Sequence, residues 1–268
     1  MKIIAQGTLR KMKSRLEQPV SYRVPLGDDE VLLNPLLKKK LRLEHTGNIH
    51  CVHCNRKINK SFNQGYCYPC FQKLAQCDSC IIHPEKCHFD QGTCREPSWG
   101  ERYCLQDHIV YLANSSGLKI GITRATQVPT RWIDQGAIKA LKIAKTPNRY
   151  LAGAIEVKLK DFVSDRTSWQ KMLKNDVDQS IDLYSYREQL KDNLSFELRE
   201  YILDEEKELS LQYPIDQYPE KIKSINFDKV KEFEGVLTGI KGQYIYIDNQ
   251  YVVNMRKYSG YFFNIIIE

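Results

Sequence analysis

One stretch, CVHCNRKINKSFNQGYCYPC, constrains this chain more than any other. Cys51 and Cys54 form one CxxC pair, and Cys67 and Cys70 form a second after twelve intervening residues. Each pair suits a tight turn that points two sulfurs at one ion. Two such turns complete a tetrahedral thiolate site that is closed to water and therefore structural. Gly65 and Pro69 supply the turn chemistry around the second pair. A site of this kind replaces a hydrophobic core that the region is too small to build, so zinc binding and folding are one event here.

Five more cysteines follow within residues 71–104: Cys77, Cys80, Cys87, Cys94 and Cys104, interleaved with His83 and His88. Cys77, Cys80, Cys87 and Cys94 are the expected ligands of a second zinc, with His83, His88 and Cys104 as alternatives. Nine cysteines in 268 residues, and an apolar run in MKIIAQGTLRKMKSR too short for a secretion signal, favour metal over disulfides and a cytoplasmic location. No apolar run approaches the roughly 18–20 residues that span a bilayer. The formal charge is +7, but eight metal-bound thiolates with two zinc ions reduce it to about +3. Net charge is therefore weak support for nucleic acid, and local clusters such as Lys38, Lys39, Lys40 and Arg42 carry more weight. That run either faces a phosphate backbone or forms a solvated edge strand.

The stretch from His108 to Glu156 has its own pattern. His108 to Ala113 is apolar on both faces, as an interior strand is. A polar turn at Asn114-Ser115-Ser116-Gly117 leads to Leu118, Ile120 and Ile122, which alternate with Lys119, Gly121 and Thr123. If Tyr111 pairs with Lys119, Ala113 faces Gly117 across a three-residue loop. A two-residue loop at Ser115-Ser116 instead sets Tyr111 opposite Ile120. Pro129 opens a short helix carrying Arg131, which Gly136 stops. A third strand spans Ile138 to Ala144. Leu151, Ile155, Leu159 and Phe162 then recur as a helical core stripe, and Glu156 lies at its edge.

This ββαβα order resembles the GIY-YIG nuclease superfamily. Val110-Tyr111-Leu112 stands for the first motif strand. Lys119-Ile120-Gly121 stands for the second, with lysine where most relatives carry tyrosine. The resemblance implies that Arg131 is the catalytic arginine and Glu156 the ligand of a catalytic Mg²⁺ or Mn²⁺. A longer resemblance spans most of the chain. The runs GYCYPCF, CDSC, GTCREPSWGERYC, LANSSGLKIGITR, PTRWIDQGA and GIKGQY look like the bacterial family called domain of unknown function 2797, which supplies an architecture but no activity.

The residues suit phosphodiester hydrolysis. A carboxylate holding a cation polarises the phosphate, and a guanidinium clamps its non-bridging oxygens. Tyr111 can serve as a base if Lys119 lowers its pKa, and His108 is a second candidate base. Arg95, Trp99 and Arg124 are expected to meet the ligand at the pocket mouth. Each residue alone has a structural reading: Tyr111 as a core aromatic, Arg131 stacked on Trp132, Glu156 paired with Lys160.

The expected organisation is α+β. Residues 1–50 form a β-rich region with a hairpin turn near Gly27-Asp28-Asp29. The zinc region covers 51–106, the GIY-YIG-like module 107–164, and a helical connector 165–222, where Leu190, Leu194, Leu198 and Tyr201 read as one helix stripe. Residues 223–268 return to β and form a small barrel with the N-terminal strands. There Lys241, Arg256, Tyr244 and Tyr258 are candidates for a basic-aromatic nucleic-acid face. The leading expectation is a metal-dependent nucleic-acid phosphodiesterase acting on DNA or RNA. The alternatives are a zinc-stabilised nucleic-acid-binding protein whose pocket does not cut, and a protein-interaction scaffold.

Overall fold

A computed structural model describes residues 2–268 and gives a mixed α+β protein. The chain divides into two compact units: Met1–Gln72 with Gln212–Glu268, and Lys73–Leu211. Among the described residues, no helix is long and apolar enough to cross a membrane.

In the unit built from both ends of the chain, Lys2–Thr8 pairs antiparallel with Tyr261–Ile267. Tyr261–Ile267 also pairs with the long strand Lys40–His50, which in turn pairs with Glu232–Lys241. The sheet continues through Tyr244–Ile247 and Tyr251–Asn254 to Lys223–Ser224. The termini therefore do meet. Their hydrogen-bonded path is open at both ends, however, so the sheet is not the closed barrel expected from the sequence. A three-stranded sheet holds the Gly27-Asp28 turn, where Leu26 pairs with Asp29 and Gly27 takes φ +62°. Glycine adopts this left-handed backbone without a Cβ penalty.

Two clusters read as basic surface have partners within this unit. Lys38 pairs with Asp216 at 2.7 Å, Lys40 with Glu268 at 2.8 Å, and Arg42 with Glu234 at 3.1 Å. Lys38, Lys40 and Arg42 of the basic run are thus matched by carboxylates on neighbouring segments. Lys241 and Tyr258 are buried, and the Lys241 ammonium lies 5.2 and 5.0 Å from the ring centres of Tyr213 and Tyr218. Two of the four residues read as a nucleic-acid face are thus core residues, while Tyr244 and Arg256 are half-buried.

The second unit is organised by a four-stranded sheet: β1 (His108–Asn114), β2 (Leu118–Arg124), β3 (Lys139–Thr146) and β4 (Leu209–Ser210), in the order β4-β3-β1-β2. Helix α1 (Thr130–Asp134) lies between β2 and β3, and α2 (Arg149–Leu159) follows β3. Gly136, at φ +67°, ends the α1 turn. Asn148 caps α2 by accepting from the Leu151 N–H at 2.9 Å.

Val110 and Leu112 of β1, Ile120 of β2 and Leu141 and Ile143 of β3 form one core with Ala152, Ile155 and Leu159 of α2. Strand alternation sends Tyr111 to the opposite face, where it meets Trp132 of α1 at 5.9 Å between ring centres. The helical stripe ends earlier than expected. Phe162 is exposed and Val163 takes the core position, because α2 stops at Leu159. The stripe at Leu190, Leu194, Leu198 and Tyr201 does pack on this core. It is split between helices Leu183–Lys191 and Phe196–Arg199, since Asp192, Asn193 and Ser195 favour caps and turns over helix interior.

Candidate functional site

The β1–β2 register places Tyr111 opposite Gly121 and Ala113 opposite Lys119, with Ser115-Ser116-Gly117 as the loop. Both registers considered from the sequence are thereby replaced. Gly117 adopts φ +126° and belongs to the turn rather than to β2, which shifts the pairing. The shift from a Tyr111–Lys119 pair is an even step, so the two side chains still share one face, on a diagonal. Gly121 has a specific task here: a Cβ on it would sit 2.7 Å from the Tyr111 Oη. The phenol occupies the space that glycine leaves.

Tyr111 is fully buried and donates its O–H to Gln135 Oε1 at 2.7 Å. Burial pushes its pKa up, and the Arg131 guanidinium against the phenol oxygen only partly offsets this. Tyr111 is therefore not the low-pKa base expected from the sequence. The leading cation acting on it is Arg131 rather than Lys119.

Lys119 is 4% exposed and donates to Thr167 Oγ1 at 3.1 Å. Burial, reinforced by the positive charge of Arg131, pushes its pKa down to about 8, while Asp165 and Glu156 resist. Glu156, on α2, is buried, and burial holds its pKa above the usual carboxylate value. Its Oε2 lies 3.8 Å from Lys160 Nζ, which also contacts Asp165 at 3.1 Å. The expected i,i+4 pair thus exists, and it sits within a wider cluster. Tyr111 feels both Arg131 and Glu156, and Lys119 feels Arg131, Glu156 and Asp165. Arg131 and Glu156 thus act on both Tyr111 and Lys119, although all four lie far apart in sequence.

The segment that completes this cluster runs along the free edge of β2. Ile120 N–H donates to Ser164 O at 2.9 Å, and Ser168 N–H to Ser116 Oγ at 2.9 Å. It delivers Asp165 and Thr167, which sequence reasoning missed because they follow a helix end in a stretch without periodicity. Gln135 was legible only as the last residue before the Gly136 stop.

The remaining candidates have other partners. His108 is buried, and burial pushes its pKa down to about 4, so it stays neutral in the core rather than serving as an exchanging base. Arg95 pairs with Asp78 at 2.8 Å. Trp99 packs on Tyr103 at 4.9 Å, and Arg124 lies 4.9 Å from the centre of the same ring. Arg124 is five residues along β2 from Lys119, roughly 17 Å at strand spacing.

Cys51, Cys54, Cys67 and Cys70 bring one sulfur each to within 4.8 Å of one another. The Cys54 and Cys67 sulfurs are 3.8 Å apart, the edge of roughly 3.8 Å that a tetrahedron with Zn–S bonds of about 2.3 Å requires. The Arg56 backbone N–H, the Arg56 guanidinium and neighbouring thiols hold Cys54 down at about 6 despite slight desolvation, so a thiolate is available. These residues fit zinc.

The second group differs from the expected foursome. Asp78, Cys80 and His88 are the donors that come within 4.8 Å of one another. A cavity of about 10 Å³, room for one water-sized sphere, is lined by them together with Cys87, Cys94 and Cys104. Cys77 is buried outside it. Burial, with the charges of Asp78, Cys87 and Cys104, pushes Cys80 up to about 11. This loop also braces α2. A Cβ on Gly153 would sit 2.7 Å from the Glu85 N and 2.8 Å from Pro84, and Arg149 donates to Ile81 O at 2.7 Å.

No curated protein and no solved structure matches the chain. Residues 38–263 match the model of the family described as Protein of unknown function (DUF2797), and the chain belongs to that family.

Proposed function

We propose that the β1–β2–α1–α2 region is a GIY-YIG-like module and that the protein is a metal-dependent nucleic-acid phosphodiesterase. The observation that carries this reading is the convergence of Lys119, Arg131 and Glu156 around Tyr111. Burying a lysine and a carboxylate beside a half-buried arginine costs stability unless their charges serve a purpose. A divalent cation on Glu156, with Asp165 beside it, would supply Lewis-acid charge to the phosphate, in the manner of Mg²⁺ sites that use one or two carboxylates plus substrate oxygens.

The chain's own residues perform the rest. Arg131, half-buried, clamps the non-bridging oxygens and stabilises the charge that develops on them. Lys119, at about 8, is partly neutral near neutral pH and can take the proton from the attacking water. Tyr111 is a positioning residue: its oxygen lies between Gln135 and Arg131 and fixes the guanidinium. Lysine in place of a second tyrosine thus moves the proton-accepting role from phenol to amine. We further assign zinc to the Cys51–Cys70 foursome, and a second zinc to the ion-sized cavity around Cys80.

The test is cleavage of single- and double-stranded DNA and RNA with Mg²⁺ or Mn²⁺. Wild type is expected to cut, and Glu156→Gln and Arg131→Ala are expected to lose at least about 100-fold, the cost typical of removing one charge-stabilising group. Equal cleavage by either variant overturns the assignment. The high pKa of Tyr111 favours a second reading, a phosphate-binding pocket that does not cut. In that case wild type binds without cleaving, and the same variants lose affinity.

A further inference from the structure

The unit formed by the two chain ends contains a cavity of about 720 Å³ that the catalytic reading does not use. This lies in the range of roughly 300–1,000 Å³ that encloses small-molecule ligands. Lys60, Lys229, Lys231 and Lys257 line it, and Asp228 is its one acid. Asp228 is already matched: it accepts from the Tyr261 O–H at 2.7 Å and pairs with Lys257 at 3.3 Å. Lys60, Lys229 and Lys231 have no carboxylate within salt-bridge distance among the described residues. Lys60 lies over the Phe62 ring, 5.4 Å from its centre, so three ammonium groups without a carboxylate partner line one concave site.

The site is built on ordered elements. Lys60 lies between the two cysteine pairs, on the segment after the strand Lys57–Ile58. Lys229 and Lys231 follow a turn in which the Lys229 and Val230 N–H groups donate to Asn226 O at 2.9 and 3.0 Å. Phe227 anchors that turn in the core, and its N–H donates to Tyr258 Oη at 3.1 Å. His45 stands in the wall and is 7% exposed. Its Nδ1 lies 3.1 Å from the Phe262 carbonyl and so carries the proton that it donates. The other ring nitrogen has no protein partner. The imidazole packs on Tyr261 and Phe263 at 5.0 and 5.4 Å between ring centres, which leaves Nε2 available to a polar ligand in the cavity.

We propose that this cavity binds a nucleotide phosphate. The lysines neutralise the phosphate, His45 Nε2 meets a hydroxyl or base nitrogen, and Asn59, Ser61 and Gln64 offer further hydrogen bonds to the body of the ligand. The ligand is either a free mononucleotide or one nucleotide of a single strand. The site is separate from the Lys119 cluster and stands whether or not that cluster cleaves.

Binding of adenosine 5′-monophosphate by calorimetry, and of a fluorescein-labelled dT oligonucleotide by anisotropy, tests this on the full-length protein. The double variant Lys229→Ala/Lys231→Ala changes only exposed side chains, and unchanged thermal melting will confirm its fold. It is expected to weaken binding by about 10-fold or more. The control Lys171→Ala/Lys174→Ala removes equal charge elsewhere and is expected to bind as wild type. Binding of the mononucleotide supports a free-nucleotide site, and binding of the oligonucleotide alone supports a strand segment. If neither probe binds, or if the control variant weakens binding as much as the cavity variant, the proposal is wrong.

Discussion

Replacing Lys119 by methionine should stabilise the fold while removing the proton acceptor proposed for the pocket. The magnitude follows from the lysine's surroundings. Its pKa falls from the ordinary 10.5 to about 8 because burial and Arg131 oppose its charge. A drop of that size is a penalty of about 3 kcal/mol on the protonated form. Methionine keeps the length of the stem and removes the charge. It forfeits the hydrogen bond to Thr167, worth about 1 kcal/mol. Lys119→Met should therefore gain about 2 kcal/mol near pH 7, a rise in Tm of roughly 4–8 °C. The gain must also depend on pH in one direction. Below about 8 both folded and unfolded chains hold the proton, and wild type carries the full penalty. Between about 8 and 10.5 the folded protein has released it while the unfolded chain retains it, so wild-type stability rises with pH. The variant's advantage should shrink across that window. Urea unfolding of both proteins near pH 7 and near pH 10 measures it. A variant less stable than wild type near pH 7, or an advantage that does not change with pH, refutes the reasoning.

Three further outcomes follow. Gly121→Ala places a Cβ 2.7 Å from the Tyr111 oxygen, so the phenol must shift; a loss of about 1–3 kcal/mol is expected, with an altered near-ultraviolet dichroism signal. Metal content by mass spectrometry should be about two zinc ions per chain and fall to about one in Cys51→Ser/Cys54→Ser; in addition, Cys80→Ser should lower it, whereas Cys77→Ser, outside the ion-sized cavity, should leave it unchanged. Gly153→Ala drives a methyl group into the Glu85 backbone nitrogen and the Pro84 ring and should lower the melting temperature of a chain that retains its zinc.

Local chemistry was legible wherever a residue's neighbours in sequence set its role. The cysteine pairs at 51–54 and 67–70 converge because each turn is built from adjacent residues. The Gly27-Asp28 hairpin and the Gly136 stop were visible for the same reason, a backbone requirement carried by one residue. Reading failed where the partner lay far along the chain. Lys38, Lys40 and Arg42 of the basic run are matched by Asp216, Glu234 and Glu268, and no local pattern announces a carboxylate some two hundred residues away. Likewise, Lys241 and Tyr258 looked like surface until the sheet folded over them.

The same distinction governs the proposed pocket. Tyr111, Lys119, Arg131 and Glu156 could be named from motif order, but a role for each requires knowing what surrounds it. Tyr111 is shut in by Gly121, Gln135 and Trp132, and that enclosure raises the pKa that a base would need lowered. Lys119 is buried as well, yet burial acts oppositely on a cation and brings its pKa toward neutrality. One environment thus disqualifies the tyrosine as a base and qualifies the lysine. Under the proposed function, lysine in place of tyrosine at this position would move proton transfer from a phenol to an amine. Its signature is a cleavage rate that rises with pH through about 8 and loses that rise in Lys119→Met.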